Sequence, residues 1–148
     1  MDKSTIAIII SGLSLALSFW NVMRDRSRLK IESKFYEGHP DYGPDRIHFK
    51  AMNKGRRPIY IRTIGGELMD NGWIGEHIGD GEFGHKLEEG QYLERIWEVK
   101  DVYADGPDFE DEYKSIWLED SLGKRYKVPK SEKYLVKLKS SNRVRAGL

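Results

Sequence analysis

The sequence predicts a mainly β protein: an antiparallel β-sandwich preceded by one N-terminal transmembrane helix and followed by a short C-terminal helix. Three observations lead there. Ser4 to Met23 (STIAIIISGLSLALSFWNVM) carries no charge. The rest of the chain alternates apolar and polar residues in short runs separated by Gly, Pro, Asn and Asp, the pattern of half-buried strands joined by turns. Long amphipathic helices do not alternate with these runs, which argues against a parallel α/β sheet.

The apolar run comes first. About 20 residues of helix span roughly 30 Å, the thickness of a bilayer's hydrocarbon core. Trp20 sits near its end, where an aromatic ring favours the headgroup boundary. Arg24, Arg26, Arg28 and Lys30 follow at once, whereas only Asp2, Lys3 and the free amine precede it. An excess of Lys/Arg after the span places the soluble domain in the cytoplasm and the helix in the inner membrane as a single pass. Two alternatives stay open at this point. Ala16-Leu17-Ser18 has the small-x-small form of a signal-peptidase site. A buried or interfacial helix of a soluble protein is the other. Within the run, Ala7, Ser11, Ser14, Ser18 and Asn21 recur at spacings of four and three, so small and polar side chains share one stripe. In lipid such a stripe permits close backbone approach and hydrogen bonding between helices, hence a homo-oligomer through the helix. Serines bonded to their own backbone give the same stripe without any partner.

The strands follow in order. Leu29, Ile31, Ser33 and Phe35 share one face, and His39 to Asp45 is turn chemistry. Ile47, Phe49 and Ala51 alternate with Arg46, His48 and Lys50. Asn53-Lys54-Gly55 makes a tight turn into Ile59, Ile61 and Thr63, with Pro58 tolerated at the strand's start. Gly65 to Gly84 is glycine-rich and expected to be irregular, anchored by Leu68, Trp73 and Ile78. Glu88-Glu89-Gly90 turns the chain into a strand from Leu93 to about Val102. Asp105 to Glu112 is an acidic loop. Ile116, Trp117 and Leu118 form the next strand, and Ser121-Leu122-Gly123 turns it into Tyr126 and Val128. Pro129 ends that strand. Ser131 to Lys139 reads as a short helix with a Ser cap, and the residues from Ser140 on as frayed. The organisation expected is an anchor with basic flank over 1–28, the β domain over 29–130, and a basic helix and tail over 131–148.

Asn53-Lys54-Gly55-Arg56-Arg57-Pro58-Ile59, with Ile61 and Ile64-Gly65, then Leu87-Glu88-Glu89-Gly90 and Ile116 to Arg125, carry a resemblance. With the N-terminal span and its basic flank, they resemble a loose group of small single-span bacterial and phage proteins with an immunoglobulin-like β-sandwich outside the anchor. The resemblance covers most of the chain. It implies architecture and brings no catalytic residues.

Charge is unevenly spread although the formal net is +1. Gly66 to Asp120 holds 17 Asp/Glu against four Lys/Arg; Ser121 to Leu148 holds nine Lys/Arg against the single acid Glu132. The basic end (Lys130, Lys133, Lys137, Lys139, Arg143 and Arg145 beyond the last strand) suits anionic lipid or a protein partner. A plain solvated tail fits as well, and nucleic acid is the weaker reading. The absence of cysteine excludes a disulfide framework, a thiolate zinc site and a cysteine nucleophile.

No catalytic, cofactor-binding or metal-binding residues are assigned. Gly79-Asp80-Gly81-Glu82-Phe83-Gly84 matches G-x-G-x-x-G, yet Asp80 and Glu82 would repel phosphate and no kinase or dinucleotide-fold context accompanies it. His39, His48, His77 and His85 match no zinc spacing. The acids Asp101, Asp105, Asp108, Glu110, Asp111 and Glu112 depart from the EF-hand loop. The expectation is therefore a membrane-tethered, non-enzymatic binding or adaptor module. The alternative is a membrane-active phage or bacterial effector working through self-association of its helix.

Overall fold

The computed structural model describes residues 2–39, 41, 43–79, 81–102 and 112–145. The side chains of Arg24 and of residues 142–145 lie outside the described part. Along the chain come α1 (Lys3–Arg24), β1 (Leu29–Tyr36), β2 (Arg46–Asn53), β3 (Ile59–Leu68), β4 (Trp73–His77), β5 (His85–Leu87), β6 (Tyr92–Glu98), a 3-10 turn (Val99–Val102), β7 (Tyr113–Asp120), β8 (Arg125–Lys127) and α2 (Ser131–Arg145).

The strands form two antiparallel sheets. One has the order β1-β2-β6; the other runs β4-β3-β7-β8, with β5 pairing the same edge of β3 as β4. Period-2 alternation decides which faces meet. Ile47, Phe49 and Ala51 of β2 and Leu93 of β6 point inward from the first sheet; Ile59, Ile61, Ile64, Ile116 and Leu118 come from the second, and all join one core. Each large apolar side chain so buried contributes about 1.5–3 kcal/mol.

β7 is the central strand of its sheet and is buried along nearly its whole length, Trp117 included. Trp117 lies on the outer face, roofed by the Arg125 guanidinium 4.3 Å from its ring, with Trp73 edge-on at 6.0 Å. This explains an outward tryptophan that is nonetheless sheltered.

Several local expectations are corrected. β3 continues through Gly65 and Gly66 to Leu68, because the missing side chains let neighbouring strands close in. A Cβ on Gly65 would sit 2.2 Å from the Ile74 carbonyl oxygen. The stretch expected to be irregular holds β4 and β5, two short pieces of one edge strand. Val99–Val102 is a 3-10 turn rather than strand, shaped where the Glu98 N–H donates to Asp101 at 2.8 Å. α2 runs on past Ser140 to Arg145.

α2 belongs to the same core as residues 29–130. Leu135 and Leu138 are fully buried, and the Ile116 N–H donates to Ser131 Oγ at 3.2 Å. The helix packs against β7, β2 and the 3-10 turn, on the side where β1 and β8 are the sheet edges. Tyr134 meets the ring of Phe35 on β1 at 5.8 Å, and the Ser33 hydroxyl donates to the Pro129 carbonyl.

α1 is long and apolar enough to cross a membrane, and its apolar length is exposed throughout. Only residues 25–28 separate it from β1, a link of at most about 14 Å. That link is docked on the β2–β3 turn: Lys54 N–H donates to the Arg28 carbonyl at 2.7 Å, and Gly55 lies so close to Arg26–Arg28 that a Cβ would strike their backbone. Buried Asn53 ties the turn together, donating to the carbonyls of Arg57 and Leu87 and accepting from the Gly55 N–H.

Candidate functional site

Each sheet ends in an edge on either side. β1 and β8 border the seam that α2 covers. β6 and β4 border the opposite seam, where the structure holds a groove of about 640 Å³. Its apolar lining is Ile64, Ile74, Ile78, Ile96, Trp97 and Tyr113, and Glu76, Arg95, Lys100 and Asp101 bring charge to it.

The groove follows from strand parity. In β6, Leu93, Arg95 and Trp97 share the inward face, opposite Ala51, Phe49 and Ile47 of β2. In β4, Ile74 and Glu76 face inward with Gly66 and Ile64 of β3. An arginine and a glutamate thus occupy inward positions on two edge strands that face each other, and both remain exposed. Among the described residues no ion pair joins the two, and unpaired charges stay in water, so the sheets stay parted along this seam. Deeper in, Trp97 and Tyr113 pack with ring centroids 5.1 Å apart and form an apolar floor. The exposed lining of the groove is more polar than apolar, so charges of both signs converge above that apolar floor. Inward charges on an edge strand also discourage edge-to-edge pairing of copies.

Sequence reading missed this groove. The signal was present: Arg95 breaks an otherwise apolar inward series between Leu93 and Trp97. Nothing in the sequence says that β4 exists to supply the other wall.

The residues singled out from the sequence fall in different places. Ala7, Ser11, Ser14, Ser18 and Asn21 all lie on the continuous helix α1, within an arc of about 80° at about 100° per residue, and all are exposed. Of the basic flank, the Arg24 side chain lies outside the described residues. Arg26 and Arg28 are exposed in the docked link, and Lys30 pairs with Glu32 at 2.7 Å. That contact, foremost its hydrogen bond, holds the Glu32 carboxyl below its ordinary value.

In the basic C-terminal segment, Lys130 sits at positive φ just before α2, and Lys133 is exposed on the helix. Lys137 pairs with Glu37 at 2.6 Å, and Lys139 pairs with Glu112. Arg143 and Arg145 have side chains outside the described part. Glu37 follows β1 and Glu112 precedes β7, so both pairings lie at the end of the β domain away from the link to α1. The two basic groups are therefore not brought together.

Asp80 and residues 105–111 of the acidic cluster lie outside the described residues; Asp101 borders the groove and Glu112 meets Lys139. His77 and His85 face Thr63 and Ile61 of β3, on either side of a loop whose ends touch. Gly79 and Gly84, at φ +91° and +84°, form its neck: a Cβ on Gly79 would lie 2.5 Å from the Gly84 carbonyl carbon. This accounts for the first and last glycines of the G-x-G-x-x-G match by backbone packing. His77 Nε2 contacts the Gly81 carbonyl at 3.0 Å across the loop. Among the described residues, no group of three or more His, Asp or Glu could hold a metal ion.

Compared with known proteins, the chain matches no family model and none of the curated proteins.

Proposed function

We propose that the chain is a membrane-tethered, non-enzymatic binding module whose partner, an extended segment of another protein, seats in the groove between β4 and β6. In this reading α1 spans the inner membrane and the β domain stands on the cytoplasmic side, supported by the Lys/Arg excess after the apolar run. The groove carries the proposal. It joins an apolar floor, charges of both signs and two strand edges that can accept an added strand.

An immunoglobulin-like identity is supported by the strand order. With β1, β2, β3, β4/β5, β6, β7 and β8 taken as A, B, C, C′, E, F and G, the sheets run A-B-E and C′-C-F-G. That is close to the arrangement of immunoglobulin sandwiches. The chain departs from antibody domains in lacking the disulfide and a tryptophan on strand C. The fold alone carries no function.

The test is a photo-crosslinking residue at Ile74, whose side chain faces the groove, with Val136 on the outer face of α2 as control, both in the full chain in membranes. A discrete adduct at position 74, lost on Arg95→Glu and absent at 136, is expected. Equal or absent adducts at the two positions would remove the groove from consideration.

A second reading, a membrane-active effector, draws on the exposed stripe of α1, which no other part of the described chain covers. Leucine at Ser11, Ser14, Ser18 and Asn21 together is expected to abolish self-association in membranes. Unchanged association would discard this reading.

A further inference from the structure

Strand direction gathers three turns at the end of the domain nearest α1. β2 ends and β3 begins there (Asn53–Ile59), β5 leads into β6 there (Glu88–Gln91), and β7 turns into β8 there (Ser121–Lys124). Backbone bonds knit the three: Asn53 N–H to Gln91, Gly90 N–H to Asn53, and Ser121 N–H to Tyr60. Arg26 and Arg28 of the link join Lys54, Arg56 and Arg57 of the first turn and Lys124 of the third. All six are exposed. The acids at this end are Asp25, 4.0 Å from Arg56, Glu88, which pairs with Lys86, Glu89, and the buried Asp120 at the base of the third turn. Cations predominate.

The third turn adds an apolar tip. Leu122 is 90% exposed, the most exposed large apolar side chain outside α1 among the described residues. Its turn is rigid: Asp120 accepts from the N–H groups of Leu122 and Lys124 at 3.0 and 2.9 Å and from the Tyr126 hydroxyl at 2.9 Å. A fixed turn holding one leucine outward beside lysine and arginine is the composition of a headgroup contact, apolar side chain inward and cations at the phosphate level.

We propose that this end of the domain docks on anionic phospholipid headgroups, with Lys54, Arg56, Arg57 and Lys124 on the phosphates and Leu122 dipping into the interface. The proposal rests on α1 spanning the membrane. The short docked link then leaves this end, and no other, within reach of the bilayer. Anionic lipid is the occupant the charge selects, and attraction of this kind acts within a Debye length, about 8 Å at physiological salt. Docking would hold the groove between β4 and β6 at a set height and tilt above the membrane.

The experiment uses the full chain in nanodiscs of phosphatidylcholine, with or without phosphatidylserine. With no native cysteine, Leu122→Cys and, at the opposite end, Met69→Cys can each carry one environment-sensitive fluorophore. Position 122 is expected to shift to the blue and to be quenched by spin-labelled lipid in phosphatidylserine discs only, with position 69 silent. The combined change Lys54→Glu, Arg56→Glu and Arg57→Glu should lower the docked-to-undocked ratio on the order of tenfold or more. Added salt should do the same to the unmutated turn, which keeps the test independent of the variant's folding. Equal signals at position 122 in the two discs, or no response to salt and charge reversal, would overturn the docking. Alkaline carbonate extraction separates the two layers of the argument. A chain released by carbonate defeats the spanning reading and the docking with it; an integrated chain indifferent to phosphatidylserine defeats the docking alone.

Discussion

The two seams of the β domain are built from the same kind of edge strand and end in opposite states. Along one, α2 lays Leu135 and Leu138 into the gap beside β1 and β8, and the core closes. Along the other, Arg95 and Glu76 stand at inward positions on β6 and β4, and the groove remains. The difference lies in a few inward side chains rather than in backbone topology. Leucine on a covering element seals a seam; charge on the strands themselves keeps one open.

The largest expected effect is on the sealed side. Leu138→Ala should cost about 2–5 kcal/mol in urea unfolding of the β domain, since a fully buried side chain leaves a cavity. Ile96→Ala, at the open seam, should change stability by less than about 0.5 kcal/mol. Similar costs for the two would break the contrast. Ser131→Ala is next. It removes the acceptor for the buried Ile116 N–H, at about 1–3 kcal/mol, read from the same unfolding curves.

Tyr126 sharpens the comparison on the β8 side. Burial foremost, then its bond to Asp120, pushes the phenol up to about 12. A raised folded value means the contribution is complete below the unfolded value of 10.0 and is lost as pH rises through about 12. Tyr126→Phe should lower stability by about 1 kcal/mol near neutrality and remove that alkaline slope. A variant retaining the full slope would place its origin elsewhere.

The smallest change in folding stability is expected from Arg95→Val. Its measure is association: with the inward charge gone, the exposed edge of β6 should begin to self-associate, visible by light scattering of the detergent-solubilised chain. A variant that stays as dispersed as the parent would mean Arg95 does not guard the seam.

Much of this architecture was legible in the sequence. The charge-free run became α1, and β1, β2, β7 and the turn at Ser121-Leu122-Gly123 appear where alternation and turn residues put them. Such signals are local. What stayed hidden depends on partners distant in sequence. β4 has a glycine, a glutamate and a histidine among five residues, so nothing periodic marks it; pairing with β3 makes it a strand. Val99–Val102 has strand-like composition and turns instead, drawn by the Asp101 side chain. α2 shows little amphipathic pattern past Lys139, and the core contacts of its first turns carry the rest.

The groove was hidden for a related reason. One of its walls is the strand that local pattern could not reveal. The basic end beside α1 was half visible: Arg26 and Arg28 announce themselves after the apolar run, but Lys54, Arg56 and Arg57 reach it only through antiparallel return of the chain.

The pinched loop between β4 and β5 has an engineering consequence. Because Gly79 and Gly84 meet at its neck, both halves of the edge strand hold their register on β3 whatever lies beyond them. Gly81, with open space around it, marks a place where foreign sequence can be spliced in. An epitope inserted there would lengthen only a closed loop, at roughly 0.6 kcal/mol per doubling. The chain thus carries its own cloning port, on the β4 edge of the domain and clear of the α2 seam.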